Sequence, residues 1–243
     1  MSFRNRSAVL AAAFVLASAC FSAAEAGVVT LSASSTSGGV TRSATAEFTF
    51  GADSLTIVLT NTTPDTRDAS ELLTGLRFHL DDLTGVLSLV GASTEGRRVS
   101  GSGAFTDLGV VNLLTAGKGS KPTWSVAANG PAGWQLDFNP DAKYAIIGAE
   151  DASGDYGGAN GSIQGNKGHN PFANQVATFT FLAPGLTSSS TLSEATFLFG
   201  TDFATCLDSE LPPPVRVVPV PPAAALGLVL LAGLGARRLR RRA

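Results

Sequence analysis

Thr45-Ala46-Glu47-Phe48-Thr49-Phe50 and, a short turn later, Leu55-Thr56-Ile57-Val58-Leu59-Thr60 place apolar side chains at every second position. A period of two puts Ala46, Phe48 and Phe50 on one face of an extended strand and Thr45, Glu47 and Thr49 on the other. Leu55, Ile57 and Leu59 alternate in the same way with Thr56 and Thr60, so both segments read as strands with one buried face. The pattern returns at Leu76, Phe78 and Leu80 against Arg77 and His79. Further runs lie at Val86–Val90, Trp134–Phe138, Tyr144–Ala149, Val176–Leu182 and Ala195–Phe199. Turn-forming clusters separate them at Ser34–Gly39, Thr62–Asp65, Gly91–Gly96, Gly154–Gly161 and Pro184–Ser190. Val110–Ala116 suits a strand or a short helical turn, and Asp151–Phe172 reads as a long, Gly-rich surface loop. No long helical periodicity competes. An alternating face must be buried against another layer, so the expectation is an all-β body of eight to eleven strands. Its expected architecture is an antiparallel, jelly-roll-like β-sandwich over residues 27–210.

The chain has 243 residues, of which 15% are charged and 7% aromatic, with 27 Gly and 12 Pro. A single sandwich domain can absorb that length. A charged fraction well under the usual ~25% argues against nucleic-acid binding and against a highly charged disordered chain. Two His, one Met and two Cys offer little material for a metal or redox centre, and no cofactor is expected.

At the N-terminus Arg4 and Arg6 precede the apolar run Ala8–Phe21, and Ala24-Glu25-Ala26 precedes Gly27. A basic segment, an apolar core and a small-x-small tripeptide form a secretory signal peptide over residues 1–26, handled by the Sec translocon and signal peptidase. Gly27 is the expected first mature residue. Cys20 follows Leu16-Ala17-Ser18-Ala19, where the Leu lies one position further out than a lipoprotein cysteine has it. Cleavage after Ala26 removes Cys20 and leaves Cys206 as an odd thiol, without an intramolecular disulfide.

The C-terminus opens with Pro212-Pro213-Pro214, and Val217–Ala236 then runs for 20 residues without a charge. That length spans about 30 Å if helical, with the prolines confined to its first turn. The strictly apolar transmembrane helix is residues 223–236. Arg237, Arg238, Arg240, Arg241 and Arg242 follow and hold the tail 237–243 on the cytoplasmic side, which leaves the body outside. Between Gly27 and Arg216 there are ten Lys and Arg against eighteen Asp and Glu, a net charge of −8. Such a body is self-repelling, suited to solution and poorly suited to polyanions.

The order of these parts matches a known sorting tag. Val218, Pro219, Val220, Pro221, Pro222 and Ala223, within the linker 211–222 and at the start of the helix, resemble with the helix and arginine cluster the PEP-CTERM sorting domain of Gram-negative bacteria in its Val-Pro-x-Pro-Ala variant. The Glu of the commoner form is absent, and Pro222 is an extra residue before Ala223. Gly168-His169-Asn170-Pro171-Phe172, Ala177–Phe181 and Phe197–Thr201 also resemble the end of many such bodies. The resemblance implies an exosortase substrate. It would be inserted transiently in the inner membrane, processed, and delivered to the cell surface or extracellular matrix, in association with biofilm or exopolysaccharide. The other reading of the same helix is a permanent single-pass anchor.

Candidate chemistry is sparse. His79 falls on the polar side of a strand and His169 in the Gly-rich loop, places that suit solvation or turn formation. Asp81-Asp82, and Asp151, Asp155 and Asn160, offer oxygens to Ca²⁺ without the spacing of an EF-hand. Adjacent carboxylates on a strand diverge, which weakens Asp81 and Asp82 as a glycosidase pair. No Gly-x-Ser-x-Gly elbow is present, and Cys206 has no His nearby in sequence. Trp124, Trp134, Tyr144 and Tyr156 would stack on sugars only from one exposed face, and otherwise belong to the core. The expectation is a non-enzymatic surface protein, with a carbohydrate- or Ca²⁺-binding adhesion module as the alternative and a secreted hydrolase as the third reading.

Overall fold

The alternating segments become strands, and the irregular clusters between them become turns that carry the chain from one strand to the next. A computed structural model describes residues 26–117, 122–130, 133–139, 143–201 and 205–209. Ala24, the sorting motif Val218–Ala223, the hydrophobic helix and the arginine cluster lie outside the described residues. The strands are β1 Gly27–Ser37, β2 Val40–Gly51, β3 Ser54–Asn61, β4 Leu73–Leu80, β5 Ser88–Val99 and β6 Phe105–Asn112, then β7 Trp124–Ala128, β8 Gly133–Phe138, β9 Ile146–Ile147, β10 Phe172–Leu182, β11 Leu192–Phe199 and β12 Thr205–Asp208. One 3-10 turn, Ala69–Glu71, precedes β4. The described residues are all-β, and no helix among them is long and apolar enough to cross a membrane.

Two ladders carry most of the pairing. One runs β1-β2-β3-β10-β5-β6 and the other β12-β11-β4-β8-β7, every neighbour antiparallel. β9 joins them: it pairs antiparallel with β4 at Leu73↔Ile146 and parallel with β10 at Ala173↔Ile146 and Asn174↔Ile147. The sheet is therefore mixed, which corrects the purely antiparallel expectation. A bridge two residues long can satisfy backbone groups of both ladders without a hairpin setting its direction. Aromatic side chains of the two ladders touch. Phe48 on β2 lies 5.7 Å, ring to ring, from Phe78 on β4, and Trp124 on β7 lies 5.0 Å from Phe179 on β10. Phe48, Phe50, Leu55, Ile57 and Leu59 are fully buried, as the alternation requires. Each such side chain contributes about 1.5–3 kcal/mol through removal from water.

The strands run between two ends of the body. At one end lie the β2–β3 turn at Ala52 and Asp53 and the segment Ala183–Thr191. Gly27 also lies there, so close to Ser188 that a Cβ would come 2.1 Å from its carbonyl oxygen. β12 heads toward the same end, and Ser209 N donates to Ala195 O at 3.0 Å. At the other end are the β1–β2 turn at Gly38 and Gly39, the 3-10 turn, the β5–β6 turn and the irregular stretch 151–171.

Several sequence expectations are corrected by packing. Gly91 and Gly96 lie inside β5, not in a turn; a Cβ on Gly96 would come 2.9 Å from Val111 Cγ2, so this glycine permits close approach of β6. Ser34–Ser37 extend β1, and only Gly38 and Gly39, both at positive φ, form the turn. Within Tyr144–Ala149 only Ile146–Ile147 is strand, and Val110–Ala116 is strand as far as Asn112 and turn beyond. Twelve strands are present among the described residues, with β1, β7 and β12 unanticipated. The stretch 151–171 is irregular as expected, yet Tyr156, Ala159, Ile163 and Asn170 within it are buried.

Candidate functional site

The charged centre of the loop end is Arg97, 5% exposed near the C-terminal end of β5. Its Nε donates to Asp107 Oδ1 on β6 at 2.8 Å, and its Nη1 donates to Glu150 Oε1 beyond β9. Nη1 also reaches the Tyr156 hydroxyl at 3.4 Å, and the guanidinium lies 3.7 Å from the centre of the Phe105 ring. The Tyr156 hydroxyl donates onward to Gly148 O at 3.0 Å, and Gln175 Nε2 donates to Glu150 Oε2 at 3.3 Å. Gln175 occupies the bulge of β10 at φ 58°. One buried cation thus ties β5, β6, β10, the segment after β9 and the Gly-rich loop together. Burial acts to lower the Arg97 pKa, but hydrogen bonds to Asp107, Tyr156 and Glu150 outweigh it and hold the guanidinium above its ordinary value. Burial pushes the Tyr156 phenol up to about 12, against the lowering effect of Arg97. Neither Arg97 nor Tyr156 exchanges a proton near neutral pH, and their bonds to Asp107, Glu150 and Gly148 clamp the loop onto the strands.

A second polar patch adjoins it. Asp68 caps the 3-10 turn by accepting from Ser70 N at 2.8 Å, while Glu71 Oε2 accepts from Arg67 N at 2.6 Å and Asp68 N at 2.8 Å. The Ser70 backbone bond is the main reason that Asp68 titrates below the usual carboxylate range. Arg67 pairs with Asp65, whose hydrogen bond raises the Arg67 pKa.

The weak calcium candidates each use one side-chain oxygen within the loop. Asp151 Oδ1 accepts from Ser153 N at 2.7 Å, which lowers its pKa, and Asp155 Oδ1 accepts from Gly157 N at 2.7 Å. Asn160 Oδ1 accepts from Ser162 N at 2.8 Å. These are Asx turns. Among the described residues no group of three or more His, Cys, Asp or Glu could hold a metal ion. Asp81 and Asp82 both receive Thr191, through its hydroxyl at 2.9 Å and its backbone N–H at 3.2 Å. His79 Nε2 lies 3.7 Å from Asp81 Oδ1. His169 Nδ1 is 2.7 Å from Ser162 O within the loop. Asn170, buried beside it, accepts from Val99 N at 2.8 Å and donates to Ile163 O at 3.2 Å, which gives the Gly168–Phe172 block a structural role.

The aromatic candidates do not share a face. Trp124 and Tyr156 are buried, and Trp124 Nε1 donates to Tyr144 O at 3.1 Å. Trp134 is half-buried, with its Nε1 inside. Cys206 is exposed on β12 at the other ladder's edge. The Arg97 cluster escaped the sequence reading, although the dipeptide Arg97-Arg98 carried a signal: adjacent residues of a strand face opposite sides, so one arginine had to face inward.

No family model and no curated protein matches the sequence. Among solved structures the chain is similar to one described as "Pore forming protein", at 10% identity over 77% of this chain and 97% of that chain, with a TM-score of 0.22. A likeness at that score carries nothing about fold or function.

Proposed function

We propose that this chain is an exported, non-enzymatic surface protein of a Gram-negative bacterium whose two ladders are the layers of a jelly-roll-like β-sandwich. It is delivered to the cell surface or extracellular matrix by processing at both ends. The observation that carries the reading is positional: β1 begins at Gly27, the first residue expected after signal-peptide removal. At the other side, β12 ends at Asp208 and Ser209 still bonds to Ala195, shortly before the proline cluster that opens the expected sorting segment. The two-layer reading is supported by Phe48–Phe78 and Trp124–Phe179, each of which joins one ladder to the other. The non-enzymatic reading is supported by a polar centre whose charged groups are committed to one another, Arg97 to Asp107 and Glu150. Exosortase processing, and association with biofilm or exopolysaccharide, rest on the resemblance of residues 218–242 to the sorting tag.

Intact mass of the protein recovered from the native surface or medium tests this reading. A mass beginning at Gly27 and lacking the arginine-ending helix is the expected result. A mass that retains the helix makes the protein a single-pass membrane protein and removes the sorting reading.

A further inference from the structure

Seven Lys and Arg lie among the described residues: Arg42, Arg67, Arg77, Arg97, Arg98, Lys143 and Lys167. Four are committed to intramolecular partners. Arg42 Nε donates to Ser70 O at 2.8 Å and Arg77 Nε to Gln135 Oε1 at 2.7 Å, while Arg67 pairs with Asp65 and Arg97 with Asp107 and Glu150. The other three, Arg98, Lys143 and Lys167, are exposed and have no hydrogen-bond or ion-pair partner among the described residues. All three line the same concavity, of about 400 Å³, at the loop end of the body. No carboxylate among the described residues lines it; Val99 and Pro171 form an apolar part of its wall and Asn170 also lines it. Both ends of the Asn170 amide are used internally, on Val99 and Ile163, so that side chain is fixed and the three cations are the groups left to meet a ligand.

In a body with eight more acidic than basic residues, three unpaired cations around one hollow repel each other, and an anion relieves that repulsion. A guanidinium fork and two ammonium groups match the oxygens of a carboxylate or phosphate. The overall negative charge opposes a long polyanion, whereas a compact anion is felt mainly through the nearest cations. We infer that this concavity binds a small organic oxyanion, its carboxylate or phosphate held among Arg98, Lys143 and Lys167 and its carbon skeleton against Val99 and Pro171.

The test is titration of the purified full chain, followed by NMR and calorimetry, with galacturonate for the carboxylate, glucose 6-phosphate for the phosphate and glucose as the neutral relative. At least one anion is expected to bind with shifts confined to Arg98, Val99, Lys143 and residues 165–171, at least fivefold more tightly than glucose. Lys143→Gln with Lys167→Gln should weaken that binding at least fivefold. Arg67→Gln with Arg77→Gln, which removes the same charge elsewhere, should leave it within twofold. The anion that binds identifies the oxyanion chemistry. The inference is overturned if neither anion binds, if glucose binds equally well, or if the two double variants weaken binding alike, which would mark diffuse attraction and not a site.

Discussion

Arg97 and Arg98 are one peptide bond apart, and the pleat of β5 sends the first into a nest of carboxylates and the second into water. Removing the first leaves Glu150 with little solvent and no guanidinium, because its side chain is 22% exposed. Arg97→Met should therefore lower unfolding free energy by about 2–4 kcal/mol in urea denaturation, with part of the loss restored by adding Glu150→Gln. Tyr156 supplies a pH dependence with a definite sign. Its phenol holds its proton more tightly in the folded chain, at about 12, than at the ordinary value of 10.0. Its contribution is complete below pH 10 and is lost as the pH rises toward 12, about 2–3 kcal/mol in all. Stability measured from pH 9 to 12 should show that fall in the parent chain and less of it in Tyr156→Phe. The sequence marked Tyr156 as an aromatic of uncertain placement, since the strand pattern says nothing of a residue in an irregular loop. Its burial follows from Arg97 and Gly148, which approach it only in three dimensions.

Glycines show how elements dock. Gly103 in the β5–β6 turn has φ 87°, and a Cβ there would come 2.5 Å from Gly157 N; its carbonyl receives Tyr156 N–H at 3.0 Å. Gly101, two residues earlier, has open space around it and an ordinary φ. Gly103→Ala should cost about 2 kcal/mol or more through strain and displacement of the 151–171 stretch, while Gly101→Ala stays within about 0.5 kcal/mol; thermal melts of both variants decide this. Strands with strict alternation, such as β2, β3 and β4, were legible because one face is core and the other solvent. β5 was not, because its glycines mimic turn chemistry while serving close strand approach. β1, β7 and β12 were not, because β1 is half-exposed for most of its length and β7 and β12 are only five and four residues long. The candidate concavity was illegible for another reason: Arg98, Lys143 and Lys167 belong to three segments far apart in sequence, brought together in part by Asn170 on Val99 and Pro171 on Tyr144.

For the molecule as a whole, every ladder hydrogen bond among the described residues falls between Gly27 and Ser209. A chain cut to Gly27–Ser209 should remain soluble and keep the all-β circular dichroism spectrum and melting transition of the parent; aggregation or loss of the transition would place part of the fold outside that span. The pairing of β9 with both ladders was not legible, because it depends on contacts across the whole chain.

Both boundary residues of the body point to the same end, and the Arg97 clamp, the Gly-rich stretch and the three-cation hollow occupy the other, a strand length or roughly 25 Å away. Any tether attached beyond Ser209 would therefore hold the body upright, with its attachment as the foot and the hollow as the crown. Neighbouring copies rooted in one layer would face their surroundings with Arg98, Lys143 and Lys167.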